Sequence, residues 1–416
     1  MTDATGLLSA VVEWILPTLG ALGLVRLAWR PGEGVPSLLR SDRAAWALWL
    51  LTRPAYAVLL WCFLDPGFGA DMWHWDRNTR SMDQGMVIGR DFPNYYSPLL
   101  PYLQYAGRWL TPGFDRVGTL WIFLAGDALA VFLGGRLLGG LLGERAGAWA
   151  RAWLLLDPLL WHQGVVRAQD EGLFLGTLVA SVWLLRSGRF RASMAVLAAG
   201  LCATKIVYAP YALAVLLALP GEGRPFLRWW GWWGLAAGAL CASYLATGAS
   251  LFSGVDLEMR VRNWGAGVSA PDAARRIVPE LPFDAALVLY AAACAVLVPW
   301  GARRFRAHPP HLRAVLNLAV AHAASLLFMP CAVSPYLAQG ALFLLAAVLA
   351  SRLGPVERRV AVLWLAAVSW LAAMFWTRHP AFSVLMKPVC ISLHAGALLL
   401  LLHRGGAAAA PARGSP

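Results

Sequence analysis

The chain has 416 residues, of which 59% are hydrophobic and only 14% charged, with a mean hydropathy of +0.59. A soluble domain carries about 25% charged residues, and the longest polar intervals, 65–97 and 249–283, are too short to bury a core of their own. The formal charge of +13 comes from arginines clustered between apolar runs, the pattern of membrane-protein loops rather than of a nucleic-acid surface, so no nucleic-acid partner is expected.

Apolar segments able to cross a bilayer fall at 7–28, 44–64, 118–138, 147–163, 172–186, 192–204, 207–220, 227–247, 284–300, 312–329, 335–350, 359–376 and 385–402. A straight crossing takes about 20 apolar residues. The first segment does not read as a cleavable leader, because it carries Glu13, little positive charge, and many equally apolar successors. The interval 192–220 is too long for one span and is broken by Lys205 and Pro210, so it reads as two short helices meeting near Lys205. The expectation is an all-α polytopic membrane protein with about 11–13 transmembrane helices, thirteen by this count. The six cysteines (Cys62, Cys202, Cys241, Cys294, Cys331 and Cys390) lie in or beside these segments without C-x-x-C spacing, so neither a zinc site nor a disulfide framework is indicated.

Arginine placement sets the orientation. Arg26, Arg30, Arg40 and Arg43, then Arg145 and Arg151, Arg186, Arg189 and Arg191, Arg224 and Arg228, Arg303 to Arg313, Arg352 to Arg359, and Arg404 all fall on one side of a thirteen-span chain. That side is cytoplasmic by the positive-inside rule, with the C-terminus inside and the short N-terminus outside. Residues 1–404 then form a single transmembrane domain, and the low-complexity tail 405–416 is expected to be disordered in the cytoplasm. The outer side receives loops 65–117, 163–171, 249–283 and 377–384. No periodic repeat and no inverted pair of broken helices is visible.

The first outer loop is acidic and aromatic: Asp65, Asp71, Asp76, Asp83 and Asp91 stand among Trp73, Trp75, Tyr95, Tyr96 and Tyr102. Its stretch 98–112 is too short and proline-broken to span, and suits an interfacial or re-entrant helix. A carboxylate at Asp71, just past the 44–64 helix, can take a proton from a hydroxyl as that oxygen attacks, and desolvation beside Trp73 and Trp75 raises its basicity. His74 with Asp71 and Asp76 leaves a divalent cation open, although no HExxH or DxD string asks for one.

A second constellation is the turn QGVVRAQDEG (163–172), in which Arg167, Gln169, Asp170 and Glu171 sit between two apolar spans. Charges at that depth pair or face a cavity, and an Arg–Asp pair that merely staples the turn is the plainer alternative. The chain's only two lysines, Lys205 and Lys387, sit at the outer ends of apolar segments. Lys205, with Arg260 and Arg262 in EMRVRNWG (258–265), can meet a lipid phosphate, while snorkelling of these side chains is the simpler reading. No phosphate loop or dinucleotide fingerprint appears, so a transferred group would come from a lipid phosphate carrier rather than a soluble nucleotide.

On these residues the chain resembles the integral-membrane glycosyltransferases of the GT-C type, most closely the bacterial family 87 mannosyltransferases that use polyprenol-phosphate mannose, and more distantly the GPI mannosyltransferase group. The resemblance rests on Asp71, Trp75, Gly85, Asp91–Phe92 and Tyr96-Ser97-Pro98-Leu99, then on 157–185 around Gln169–Asp170, on 197–219 around Lys205, and on 326–337, covering about residues 44–350. It implies an inverting transfer of a sugar, mannose in the nearest relatives, from a polyprenyl-phosphate donor to a glycolipid or cell-envelope acceptor. It places the enzyme among the lipids of the bacterial cytoplasmic membrane, with the active site outside. Asp71 would be the general base and Asp91 would serve the acceptor side. Lys205, Arg260 and Arg262 would hold the leaving phosphate, and Trp75, Asp76, Tyr96, Arg167, Gln169, Asp170 and Glu171 would shape the site. Trp75 replaces the usual tyrosine and Ser97 a usual proline, so the donor sugar stays open. The competing reading is a multi-span transporter or flippase, which calls for polar residues along a central path, whereas the ionisable groups here gather at one face.

Overall fold

The computed structural model describes residues 11–29, 35, 40–64, 70–92, 96, 99–111, 115–219, 224–249, 264–332, 336–375 and 380–404. Among these the chain is all-α without a strand; one isolated bridge, Ile88 with Phe92, closes a turn. In chain order the helices are α1 (Leu16–Trp29), α2 (Asp42–Leu50, continued by wider turns to Leu64), α3 (Ala70–Asp83), α4 (Leu99–Leu110), α5 (Asp115–Leu142) and α6 (Glu144–Leu156). There follow α7 (Pro158–Trp161, continued by His162–Val166), α8 (Glu171–Arg186), α9 (Phe190–Cys202), α10 (Ala209–Ala218), α11 (Arg224–Ala246) and α12 (Ala270–Ile277). The last are α13 (Phe283–Arg304), α14 (Pro310–Phe328), α15 (Leu337–Ala350), α16 (Pro355–Phe375) and α17 (Pro380–Arg404).

Every apolar segment read from the sequence forms helix over most of its described length, with a break at Asp157 inside 147–163. The break at Lys205 is also present, as a turn between α9 and α10. Among the described residues four stretches are long and apolar enough to cross a membrane, Asp42–Cys62, Arg116–Leu142, Phe283–Arg304 and Pro310–Phe328, with shorter apolar helices beside them.

Helices α5 and α8 pack closely because small residues face each other. A side chain at Gly126 would strike the backbone of Leu173, and one at Gly176 the carbonyl of Gly126; such positions let membrane helices approach without a side chain between them. Further along, Gly140 lies against the Arg186 guanidinium, so the two helices run parallel. The start of α8 at Glu171 and its end at Arg186 are therefore about 22 Å apart at 1.5 Å per residue. The Arg186 end gathers other basic loops: Arg151 Nη2 is 2.7 Å from Asp42 and donates through Nη1 to Arg40 O at 2.9 Å, and Arg136 is 3.4 Å from Asp42. Loops read from the sequence as sharing one side meet at this end of the bundle.

One charge pair escaped the expectation that ionisable groups gather at one face. Arg53 and Asp127 both lie inside long apolar helices and are almost wholly buried, with Nε of Arg53 3.3 Å from Oδ2 of Asp127. Trp49 Nε1 donates to the same carboxylate at 2.6 Å, and Arg53 Nη2 donates to the carbonyls of Leu154 and Leu155 at 3.2 and 3.4 Å. These carbonyls precede Asp157, which breaks α6 from α7 by accepting the N–H groups of Leu159 and Leu160, both at 2.9 Å. The pair thus ties α2 and α5 to a helix break. Removing one partner of a buried pair strands the other charge, at about 3–5 kcal/mol. Arg53→Leu is accordingly expected to lower stability by about that amount in detergent unfolding, and R53L/D127L to recover most of it.

Candidate functional site

The interval 65–97, read from the sequence as a loop, contains helix α3. Its period brings Asp71, Trp75, Asn78 and Thr79 to one side, with Trp75, Asn78 and Thr79 buried and Asp71 half-buried. Trp75 is the anchor. Its ring lies 4.5 Å from that of Tyr96 and 5.9 Å from that of Phe123, and its Nε1 donates to the carbonyl of Ala168 at 2.8 Å. Ala168 has φ of +55°, a left-handed conformation that costs a residue with a Cβ about 1–2 kcal/mol. That turn of the 163–171 segment directs the next side chain back at α3, and Gln169 Nε2 donates to Asp71 Oδ2 at 2.8 Å.

Asp170 and Glu171 follow, both buried, at the start of α8. Their cation is Lys205, supplied by the turn between α9 and α10, with Nζ 3.0 Å from Asp170 Oδ1 and 3.9 Å from Glu171 Oε1. The same ammonium faces three tyrosine rings, at 5.0 Å from the centroid of Tyr96, 5.9 Å from Tyr208 and 4.9 Å from Tyr336, all within cation–π reach. Burial, the largest single influence, works against the charged lysine, but the Asp170 carboxylate and the oxygens of Tyr208, Tyr336 and Tyr96 together hold the Lys205 pKa well above its ordinary value. Tyr336 arrives from the turn before α15. That turn is fixed to the segment before α13 by Asp272, which accepts the N–H of Cys331 at 3.1 Å, and by Val268 N–H donating to Ala332 O at 2.7 Å. Segments far apart in the chain, at 71–75, 96, 168–171, 205–208 and 336, therefore converge at the end of the bundle opposite the arginine-rich one.

The electrostatics single out Asp71. Burial raises its pKa above the ordinary carboxylate value, while the Gln169 hydrogen bond and the charges of Lys205 and Arg167 pull it partly back. A carboxylate raised in this way is a stronger base than one in water and stays ionised near neutrality only with such help. Gln169→Ala removes the hydrogen bond that favours the ionised form, so the Asp71 pKa is expected to rise further. A proton-abstraction rate that depends on Asp71 should then fall about tenfold, with its acid limb moved to higher pH, while ligand affinity changes little. Single-turnover rates measured across pH check this.

The other expected site residues are distributed unevenly. Arg167 is buried and acts on Asp71 through its charge. Asp76 is taken up in a pair with Arg80 one helical turn on, at 2.7 Å. Asp91 is exposed and does not contact the Asp71 group among the described residues. Its oxygens receive Arg90 at 2.9 and 2.8 Å and the Val87 N–H at 2.7 Å, and those bonds hold its carboxyl down at about 2. His74 Nδ1 is 3.3 Å from Arg77, and among the described residues no group of three His, Cys, Asp or Glu side chains is arranged to hold a metal ion. Arg260 and Arg262 lie outside the described residues, as do Asp65, Tyr95, Ser97, Pro98 and the tail 405–416. Sequence reasoning did not select Ala168, Tyr208 or Tyr336 as site residues. For the tyrosines the available signal was the position of Tyr208 beside Lys205 and of Tyr336 after Ser334-Pro335 in 326–337. For Ala168 there was none, because alanine does not advertise a positive φ.

The fold and this cluster define an all-α protein with several long apolar helices, consistent with a multi-pass membrane protein, and with a buried acidic and aromatic cluster at one end. Comparison of the chain with protein-family models, curated proteins and solved structures finds no match.

Proposed function

We propose that the protein is an inverting glycosyltransferase of the GT-C type in a bacterial cytoplasmic membrane. It would move a sugar, mannose on the resemblance, from a polyprenyl-phosphate donor to a glycolipid or cell-envelope acceptor at the outer face. The observation that carries this reading is the half-buried Asp71, held by Gln169 beside the Lys205 cluster, at the opposite end of α8 from the basic loops. On this reading the full set of apolar helices crosses the bilayer, the basic end faces the cytoplasm, and α4, with Leu100 and Gln104 buried and Trp109 and Leu110 exposed, lies along the outer interface.

In the reaction Asp71 takes the proton of the acceptor hydroxyl as its oxygen bonds to the anomeric carbon. The bond from that carbon to the phosphate oxygen breaks, and polyprenyl phosphate departs with the electron pair. The leaving group is already a stabilised anion and needs no proton, only a cation, which Lys205 and Arg167 supply with Arg260 and Arg262 as further candidates. Asp91, committed to Arg90 and Val87, shapes its own turn and leaves the base role to Asp71. A divalent cation plays no part in this scheme. The transporter reading draws on the Arg53–Asp127 pair inside the helices, but that pair's bonds to Trp49, Leu154 and Leu155 serve packing.

The test is transfer from a panel of radiolabelled polyprenyl-phosphate sugars to endogenous membrane acceptors by the reconstituted full chain, with donor binding measured in parallel. Product from one donor supports the reading and names the sugar. Movement of a labelled lipid between leaflets without product favours the flippase.

A further inference from the structure

At the arginine-rich end, α1, α5, α6, α15 and α16 enclose a cleft of about 460 Å³. Among the described residues that line it, three are arginines, Arg145 from α6 and Arg358 and Arg359 from the first turns of α16, and none is acidic. The rest of the wall is apolar, with Leu142, Trp149 and Leu353 prominent. Arg358 is braced by donating from Nη2 to Leu353 O at 3.3 Å, while its buried Nε has no hydrogen-bond partner among the described residues. A guanidinium fixed in this way suits an anionic oxygen. The start of α16, a helix of 21 residues, adds its own positive end to the same cleft. The nearest acid on that helix, Glu357, accepts the Gly354 N–H through Oε2 at 3.0 Å and lines the neighbouring cleft on the other flank of α16.

We propose that this cleft binds the headgroup of an anionic phospholipid, its phosphodiester among Arg145, Arg358 and Arg359 and the start of its acyl chains along Leu142, Trp149 and Leu353. The lipid is favoured over a soluble phosphate ester because the wall beside the arginines is apolar and, of the helices around it, α5 is long and apolar enough to cross a membrane while α1 and α15 are shorter apolar helices. Basic pockets between such helices at the cytoplasmic side are where anionic headgroups lodge. The volume admits a headgroup and glycerol but no macromolecule. The proposal does not depend on the glycosyltransferase reading, since it concerns the opposite end of the bundle.

The test uses the full chain in phosphatidylcholine nanodiscs titrated with phosphatidylglycerol, with bound lipid counted by native mass spectrometry. Saturable binding of phosphatidylglycerol is expected. R358Q/R359Q should weaken it about thirtyfold, at the strength typical of an arginine meeting a headgroup. R303Q/R304Q, which neutralises a basic pair at the same end outside the cleft, should bind as the wild type does. If R358Q/R359Q does not fold, the exposed Arg359→Gln alone should still weaken binding about fivefold. The proposal is overturned by equal binding in the wild type and the arginine variants, or by phosphatidylcholine binding as well as phosphatidylglycerol, which leaves only an apolar groove. It is equally overturned by millimolar glycerophosphate or inorganic phosphate displacing the lipid, which makes the site one for a free phosphate.

Discussion

Asp71→Asn is expected to lower sugar transfer by about 10²- to 10⁴-fold, the usual worth of a positioned general base, while donor affinity stays within about twofold. The substitution is close to isosteric. The asparagine oxygen can still accept from Gln169, which now donates to Asp71 at 2.8 Å, so the turn carrying Ala168 keeps its partner and stability should not move. What disappears is the ability to take a proton. The sign of the pH dependence follows from the same geometry. The base works only when ionised, so transfer rises as pH increases through the Asp71 pKa. Burial has lifted that value above the ordinary carboxylate one, and the acid limb of the wild-type profile should therefore sit higher than an exposed aspartate would place it. Residual transfer by D71N should be flat across that interval. Rates under saturating donor, measured from pH 4 to 8, check both statements. Equal transfer by the two proteins would take the base role from Asp71.

How much of this was legible depends on the kind of signal. The apolar helices were, because each is a run of apolar residues, and the break at Lys205 was, because a lysine and Pro210 interrupt one such run. Asp71, Gln169, Asp170, Glu171 and Lys205 were visible as polar residues out of place, which is what a functional cluster looks like in an apolar chain. The contacts among them were not. Nothing in the sequence says that Gln169 bonds Asp71 across 98 residues, because that bond depends on the left-handed turn at Ala168 and on Trp75 holding its carbonyl. Helix α3 was missed for a related reason: its polar composition reads as loop, and only the spacing of Asp71, Trp75 and Asn78 betrays a buried side. Asp91 looked catalytic by its Asp-Phe setting, yet its neighbour Arg90 claims it, a local pairing that a motif does not disclose. Arg53 and Asp127 were passed over because each stands alone in its own apolar run and they meet only through the packing of α2 on α5.

Lys205→Met should have the largest effect on stability, about 3–5 kcal/mol, because it removes the cation between two buried carboxylates. Asp170 and Glu171 are almost wholly inaccessible to water, and their carboxylates lie 3.0 and 3.9 Å from Nζ. With the ammonium gone, water cannot replace it there without opening the junction of α8, α9 and α10. Methionine keeps the length and packs against Tyr96, Tyr208 and Tyr336, so the loss reads the charge rather than a cavity. The triple variant K205M/D170N/E171Q then separates two roles that coincide in one side chain. Its cluster is neutral throughout, and unfolding in detergent should return to within about 1 kcal/mol of the wild type, since replacing a whole buried ionic group is far milder than removing one member. Transfer and donor binding should not return with it, because a leaving phosphate still lacks the Lys205 cation. If stability and transfer are restored together, Lys205 serves only to neutralise Asp170 and Glu171, and the donor phosphate must be held elsewhere. If K205M costs nothing in stability, Arg167 or a bound proton already balances the carboxylates, and the lysine is held at the mouth of the site for its ligand alone.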